Sequence, residues 1–109
     1  SISNNTASGN GGGVYLQGHA PFEQNSLERV VIAGNRAANG GGVAAGLRVH
    51  VVDSEIAGNS ATSGDGGGVW FFLNGTEARA VRQVALRGNV AAGGGGAISH
   101  DCGNVAVEN

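Results

Sequence analysis

The stretch that decides the fold is Ile56-Ala57-Gly58-Asn59-Ser60-Ala61, followed shortly by Gly66-Gly67-Gly68-Val69. The first phrase reads aliphatic, two free positions, Asn, one free position, Ala. It recurs as Ile2-Ser3-Asn4-Asn5-Thr6-Ala7, Ile32-Ala33-Gly34-Asn35-Arg36-Ala37 and Leu86-Arg87-Gly88-Asn89-Val90-Ala91. The second phrase recurs as Gly11-Gly12-Gly13-Val14, Gly40-Gly41-Gly42-Val43 and Gly95-Gly96-Ala97-Ile98. The Asn positions step by 30, 24 and 30 residues, and the Val/Ile positions after the glycines by 29, 26 and 29. Self-similarity at such a period is the signature of a solenoid or array.

The local pattern is that of strands. Val14-Tyr15-Leu16 and Val69-Trp70-Phe71-Phe72-Leu73 are short, β-branched or aromatic, and bounded by glycine. In Leu47-Arg48-Val49-His50-Val51-Val52 the period is two, with Leu47, Val49 and Val51 on one face and Arg48 and His50 on the other. Helical repeats would need long periodic segments free of glycine triplets. The pattern therefore predicts an all-β parallel β-helix of about four coils, each holding two or three short strands. Windings spaced at about 4.8 Å would stack equivalent residues into columns. The inward columns are Ile2/Ile32/Ile56/Leu86, Leu27/Val51/Val81, Val14/Val43/Val69/Ile98 and Ala7/Ala37/Ala61/Ala91. Asn5, Asn35, Asn59 and Asn89 are assigned a structural column at a corner. There Asn tolerates left-handed backbone and its amide both donates and accepts.

With these residues in view, a family resemblance emerges. Gly95-Gly96-Ala97-Ile98 and the x-x-Asn phrases resemble the repeat of the chlamydial polymorphic outer-membrane proteins, which pairs a Gly-Gly-Ala-Ile element with an aromatic-x-x-Asn element. Here Ile or Leu stands where that family usually has Phe. The chain also resembles a broad group of bacterial secreted proteins with the same repeat. The resemblance implies a right-handed parallel β-helix (solenoid), pectate-lyase-like, exported to the surface or outside the cell. It implies no enzyme, because it rests on scaffold residues.

Composition narrows the function classes. The chain has 109 residues, 22 of them Gly, with 13% charged residues and a net charge of -2. That balance lacks the basic patch of a nucleic-acid binder. No run of 18 apolar residues spans a membrane. The single Cys102 cannot form an internal disulfide. The chain reads as one β-helix segment, residues 1–109, of a longer passenger or surface domain. Its terminal windings lack the atypical composition of capping repeats. In isolation it is expected to aggregate or fold poorly.

Function would reside at the free positions. If Val14 and Val69 face inward, Tyr15, Trp70 and Phe72 face outward and are the candidate ligand-binding residues, suited to stacking on sugar rings. Asp53, Glu55, Asp65 and Asp101, with Arg29, Arg82 and Arg87, are the residues a polysaccharide-cleaving site could use. However, no two acids recur at one column position in adjacent windings, as a glycosidase pair would require. An ion pair between Arg29 and Asp53, equivalent in register, is the simpler expectation. His100-Asp101-Cys102 are adjacent along a strand and point to alternate faces, so they do not predict a metal site. Gly64-Asp65-Gly66-Gly67-Gly68 lacks the Lys-Ser/Thr of a phosphate loop. Asn4-Asn5-Thr6 and Asn74-Gly75-Thr76 fit glycosylation sequons. The inserts from Gln17 to Ser26, with His19, Pro21 and Phe22, and from Leu73 to Ala78 would lie on one side of the solenoid.

The reading that follows is a structural, presentation segment of a secreted or cell-surface bacterial protein, serving adhesion or glycan binding. No catalytic residue, metal or cofactor is assigned. Its partners would be a carbohydrate or host/cell-surface ligand and the neighbouring coils of the full-length chain. The alternative is part of a polysaccharide lyase or glycoside hydrolase whose catalytic coil lies elsewhere.

Overall fold

The computed structural model describes residues 1–17, 25–46, 49–72 and 80–100, and the backbone of 106–108. In chain order, the first winding carries β1 (Ile2–Ser3), β2 (Val14–Leu16) and β3 (Asn25–Glu28). The next carries β4 (Val31–Ala33), β5 (Arg36–Ala37), β6 (Val43–Ala45) and β7 (Val49–Val52). Then follow β8 (Glu55–Ala57), β9 (Ser60–Ala61), β10 (Val69–Phe71) and β11 (Ala80–Arg82). The last are β12 (Ala85–Arg87), β13 (Val90–Ala91), β14 (Ile98–His100) and β15 (Ala106–Glu108).

These strands sort into four parallel sheets, each taking at most one strand per winding. The orders are β1-β4-β8-β12, β14-β10-β6-β2, β15-β11-β7-β3 and β13-β9-β5. This is a parallel β-helix, all-β among the described residues. The register matches the repeat residue for residue. Ile2 pairs with Ile32, Ile32 with Ile56, and Leu86 with Ile56. Val14, Val43, Val69 and Ile98 form one column, and Leu27, Val51 and Val81 another. A winding has up to four strands rather than two or three. The additional one is the two-residue pairing β5-β9-β13, which places Ala37, Ala61 and Ala91 in line.

The core is a cylinder of these columns. Ile32, Val43, Val49, Val51, Ile56, Val69 and Phe71 are fully buried, and Ile2, Val14, Leu16, Leu27, Leu86 and Ile98 pack against them while partly exposed. Strand β7 alternates as expected, with Val49 and Val51 in and His50 and Val52 half-buried. Leu47 and Arg48 lie outside the described residues. Burial of this apolar surface, at about 25 cal/mol per Å², is what holds windings together beyond their backbone bonds.

The corners depart from expectation. The column asparagines are not the left-handed residues. Positive φ falls one position earlier, at Asn4 (58°), Gly34 (66°), Gly58 (62°) and Gly88 (60°). That turn frees the following Asn to send its side chain into the stack. A second left-handed corner joins β3 to β4, β7 to β8 and β11 to β12 through Arg29 (52°), Asp53 (49°) and Gln83 (53°). None of these is glycine, and a side chain in this region costs about 1–2 kcal/mol. Gln83 is exposed. Gln83→Gly is therefore expected to raise stability by about 0.5–1 kcal/mol, after the extra freedom of glycine in the unfolded chain is subtracted. The midpoint of urea denaturation measures it; a lower midpoint would show that the side chain contributes more than the strain.

Candidate functional site: two polar columns and an aromatic shelf

The asparagine column explains its own recurrence. Asn35 Oδ1 accepts from the backbone N–H of Asn5 at 2.9 Å and from Asn5 Nδ2 at 3.0 Å. Asn59 Oδ1 accepts the same pair from Asn35, at 2.9 and 3.0 Å. Asn89 Oδ1 accepts from the backbone N–H and Nδ2 of Asn59, each at 3.0 Å. The other Nδ2 hydrogen turns back one winding: Asn35 to the Ile2 carbonyl (3.1 Å), Asn59 to that of Ile32 (3.0 Å), Asn89 to that of Ile56 (2.8 Å). Each interior amide thus has two donors and a doubly accepting oxygen engaged, its full practical capacity. Asn35 and Asn59 are 0% exposed, so these bonds are made away from water. No other side chain of that size offers both roles, which is why the position does not vary.

A second polar column runs beside the glycine bend and was not anticipated. Asn39 Nδ2 donates to Asn10 Oδ1 (3.1 Å), the Asp65 N–H donates to Asn39 Oδ1 (2.9 Å), and the Gly94 N–H donates to Asp65 Oδ1 (2.6 Å). Its sequence signal is the residue just before each glycine triplet: Asn10, Asn39, Asp65, then Gly94.

The outward face of the β2-β6-β10-β14 sheet carries the predicted aromatics. Tyr15, Ala44, Trp70 and Ser99 share one outward column. Phe72 follows β10 and holds its winding through its N–H to the Ala45 carbonyl (3.0 Å). Tyr15 and Trp70 stand two windings apart, about 9.6 Å along the axis. Yet the Tyr15 and Phe72 rings stack with centroids 5.5 Å apart, and Trp70 lies 5.2 Å from Phe72. The rings lean toward one another over the intervening winding, which offers only Ala44 and Gly46 there. Both are buried although they belong to the outward face. The structure therefore brings Tyr15, Phe72 and Trp70 into one shelf. Ring pairs of this kind contribute about 0.5–1.5 kcal/mol beyond area burial. Tyr15 remains 47% exposed and is the open edge of the shelf.

The charged candidates are dispersed. Glu55 forms an ion pair with Arg87 in the next winding. Asp65 belongs to the second polar column, and Asp53 occupies a left-handed corner. The expected Arg29–Asp53 ion pair is not formed among the described residues. Both are corner residues in the left-handed region. Among the described residues, no group of three or more His, Cys, Asp or Glu could hold a metal ion. Asp101 and Cys102 lie outside the described residues, as do His19, Pro21, Phe22, the segment from Leu73 through Ala78, the sequon at Asn74, and Asn109. In the Asn4-Asn5-Thr6 sequon, Asn4 and Thr6 are exposed, while Asn5 points into the column.

Comparison with known proteins bears on the repeat. No match was found among curated proteins or among solved structures. Residues 1–17 and 83–101 match the family model described as the Chlamydia polymorphic membrane protein repeat. Each matched segment contains one Asn phrase and one glycine phrase. The two windings between them pair with the matched ones in unbroken register. The chain is thus a parallel β-helix of four equivalent two-phrase units, the outer two of which are similar in sequence to the Chlamydia polymorphic membrane protein repeat.

Proposed function

We propose that this chain is a structural segment of a protein displayed at a cell surface or outer membrane, a stiff stack that presents its outward face to a ligand. The observation that carries this reading is the match of two windings to a repeat of polymorphic membrane proteins, within a stack whose inward side chains pair with their own counterparts. Residues so engaged build shape; the outward positions are left for contact. Support for this placement comes from the description of the matched repeat as one of a membrane protein. Digestion of intact cells that make the full-length protein, with an antibody to this segment, tests it. Loss of the epitope without lysis is expected, and full protection would overturn the placement.

The finer part of the proposal is that the aromatic shelf contacts sugar rings, adhesion being its consequence. Tyr15 offers a ring face and a hydroxyl, with Gln17 exposed nearby to meet sugar hydroxyls. Replacing Tyr15 with Ser removes the exposed edge and leaves the buried core intact. Retention of the chain on immobilised polysaccharide is expected to weaken about tenfold, the loss of one ring contact of roughly 1.4 kcal/mol. Trp70→Ala is expected to weaken retention too, by collapsing the ring that supports Phe72. Unchanged retention in both variants would leave the shelf as a staple between windings and nothing more.

A further inference from the structure

Asn39 is followed directly by Gly40 at the glycine bend. That pair sets an electrophilic side-chain amide beside a backbone nitrogen that no Cβ shields. Attack of the Gly40 nitrogen on Asn39 Cγ closes a cyclic imide. The N–Cγ bond forms, the Cγ–Nδ2 bond breaks, and the Gly40 proton leaves with the departing ammonia. Water then opens the ring, at Cγ to give aspartate or at the backbone carbonyl to give isoaspartate. The sum is asparagine and water to acid and ammonia, so water is the only co-reactant.

The fold holds each group that this reaction needs. The Gly40 N–H donates to the Asp65 carbonyl at 2.9 Å, and the Asn39 carbonyl accepts from the Gly11 N–H at 3.0 Å. The peptide plane between the reacting groups is thus pinned from the windings on both sides. Asn39 Oδ1 accepts from the Asp65 N–H at 2.9 Å, and Nδ2 donates to Asn10 Oδ1 at 3.1 Å. Gly64 lies so close over this amide that a methyl group there would overlap Oδ1. Gly40 itself is buried. In this state the nitrogen keeps its proton on the Asp65 carbonyl, and Cγ cannot swing onto it.

We propose that Asn39-Gly40 is a latent deamidation site, shut while its winding lies between its two neighbours and converted when they part. Asp65 occupies the same column one winding on, so the aspartate product has a precedent in the stack. Loss of ammonia to solvent makes the change one-way. The converted fraction therefore records how often the windings have opened. Where closing is faster than cyclisation, the native rate is the unfolded rate multiplied by the open population. The site is independent of the surface placement and of sugar binding.

The test follows Asn39 in the full-length protein, held in mildly alkaline buffer with and without urea at one temperature. Trypsin cutting after Arg36 and Arg48 releases residues 37–48, in which Asn39 is the only Asn and no Gln occurs. Mass spectrometry of that peptide reads the exchange of amide for acid. Conversion in native buffer is expected to be about a hundredfold slower than in urea. Asn59→Leu leaves the Asn39-Gly40 pair untouched but removes bonds between windings. It is expected to speed native conversion about tenfold or more without changing the rate in urea. If that variant does not fold, its rate in native buffer should equal the rate in urea. Equal conversion of the parent protein in native buffer and in urea overturns the proposal. So does a native rate that Asn59→Leu leaves unchanged.

Discussion

Asn59→Leu is expected to remove about 5 kcal/mol of stability, enough to unfold a domain whose total lies at roughly 5–15 kcal/mol. Leucine matches asparagine in size and is more apolar, so a burial argument alone would call the change favourable. The hydrogen bonds decide otherwise. The substitution strips the acceptor from the Asn35 backbone N–H and from one Asn35 Nδ2 hydrogen, and the donor from the Ile32 carbonyl. Asn35, like Asn59, is 0% exposed, so water cannot replace what is lost. Each orphaned group costs about 1–3 kcal/mol. Asn5→Leu provides the contrast. Asn5 is exposed, and its loss leaves Asn35 Oδ1 with the Asn5 backbone N–H as donor, so about 1 kcal/mol or less is expected. Denaturation followed by circular dichroism measures both; equal effects at the two positions would show that the column is ornament on a hydrophobic stack.

Asn59→Asp separates the two halves of the amide. The new carboxyl keeps an oxygen where Asn35 donates, but sets its other oxygen against the Ile32 carbonyl and Asn89 Oδ1, both acceptors. Burial and these neighbours favour the protonated form, so the folded-state pKa rises above the ordinary value near 3.9. The variant therefore loses least stability below that value. The deficit grows by about 1.4 kcal/mol per pH unit as pH climbs from there toward the raised folded pKa. The stability deficit of Asn59→Leu lacks this dependence. A flat pH profile for Asn59→Asp would place the carboxylate in contact with water and contradict the buried column.

The columns were legible in the sequence because a parallel stack puts each residue on its own counterpart, so one demand is repeated at each winding. Ile2, Ile32, Ile56 and Leu86 could be aligned from spacing alone, and the structure pairs them so. The corners were not. Asparagine suits both a left-handed turn and a buried amide ladder, and only the backbone separates the two uses. The clue was the Gly preceding Asn35, Asn59 and Asn89, which takes the turn instead. Arg29 and Gln83 gave no clue, since Arg and Gln have no preference for positive φ. The Asn10–Asn39–Asp65 column was hidden because its fourth member, Gly94, merges with the glycine run. Tyr15, Trp70 and Phe72 could be placed outside by alternation. Their meeting could not, because it depends on how far rings reach across a winding that offers only Ala44 and Gly46.

Gly41→Ala is expected to cost about 3 kcal/mol. A Cβ at Gly41 would lie 2.5 Å from the N, C and O atoms of Ser60 in the next winding. These are backbone atoms, so no rotamer change relieves the contact; strand β9 must move. Ser60 follows Asn59, and its N–H donates to the Asn35 carbonyl at 2.8 Å. Pushing it away strains the asparagine column at its best-buried point, coupling the glycine phrase to the Asn phrase. Gly58→Ala isolates the other reason for glycine. There φ is +62°, but the nearest atom to a Cβ, the Gly34 N, is 4.0 Å away. Only backbone strain of about 1–2 kcal/mol is expected. Denaturant midpoints should therefore fall further for Gly41→Ala than for Gly58→Ala, and Ser60→Gly should not rescue the former, because it removes no clashing atom. Rescue by Ser60→Gly would mean that side chains, not the close approach of two backbones, fix the second glycine of the triplet.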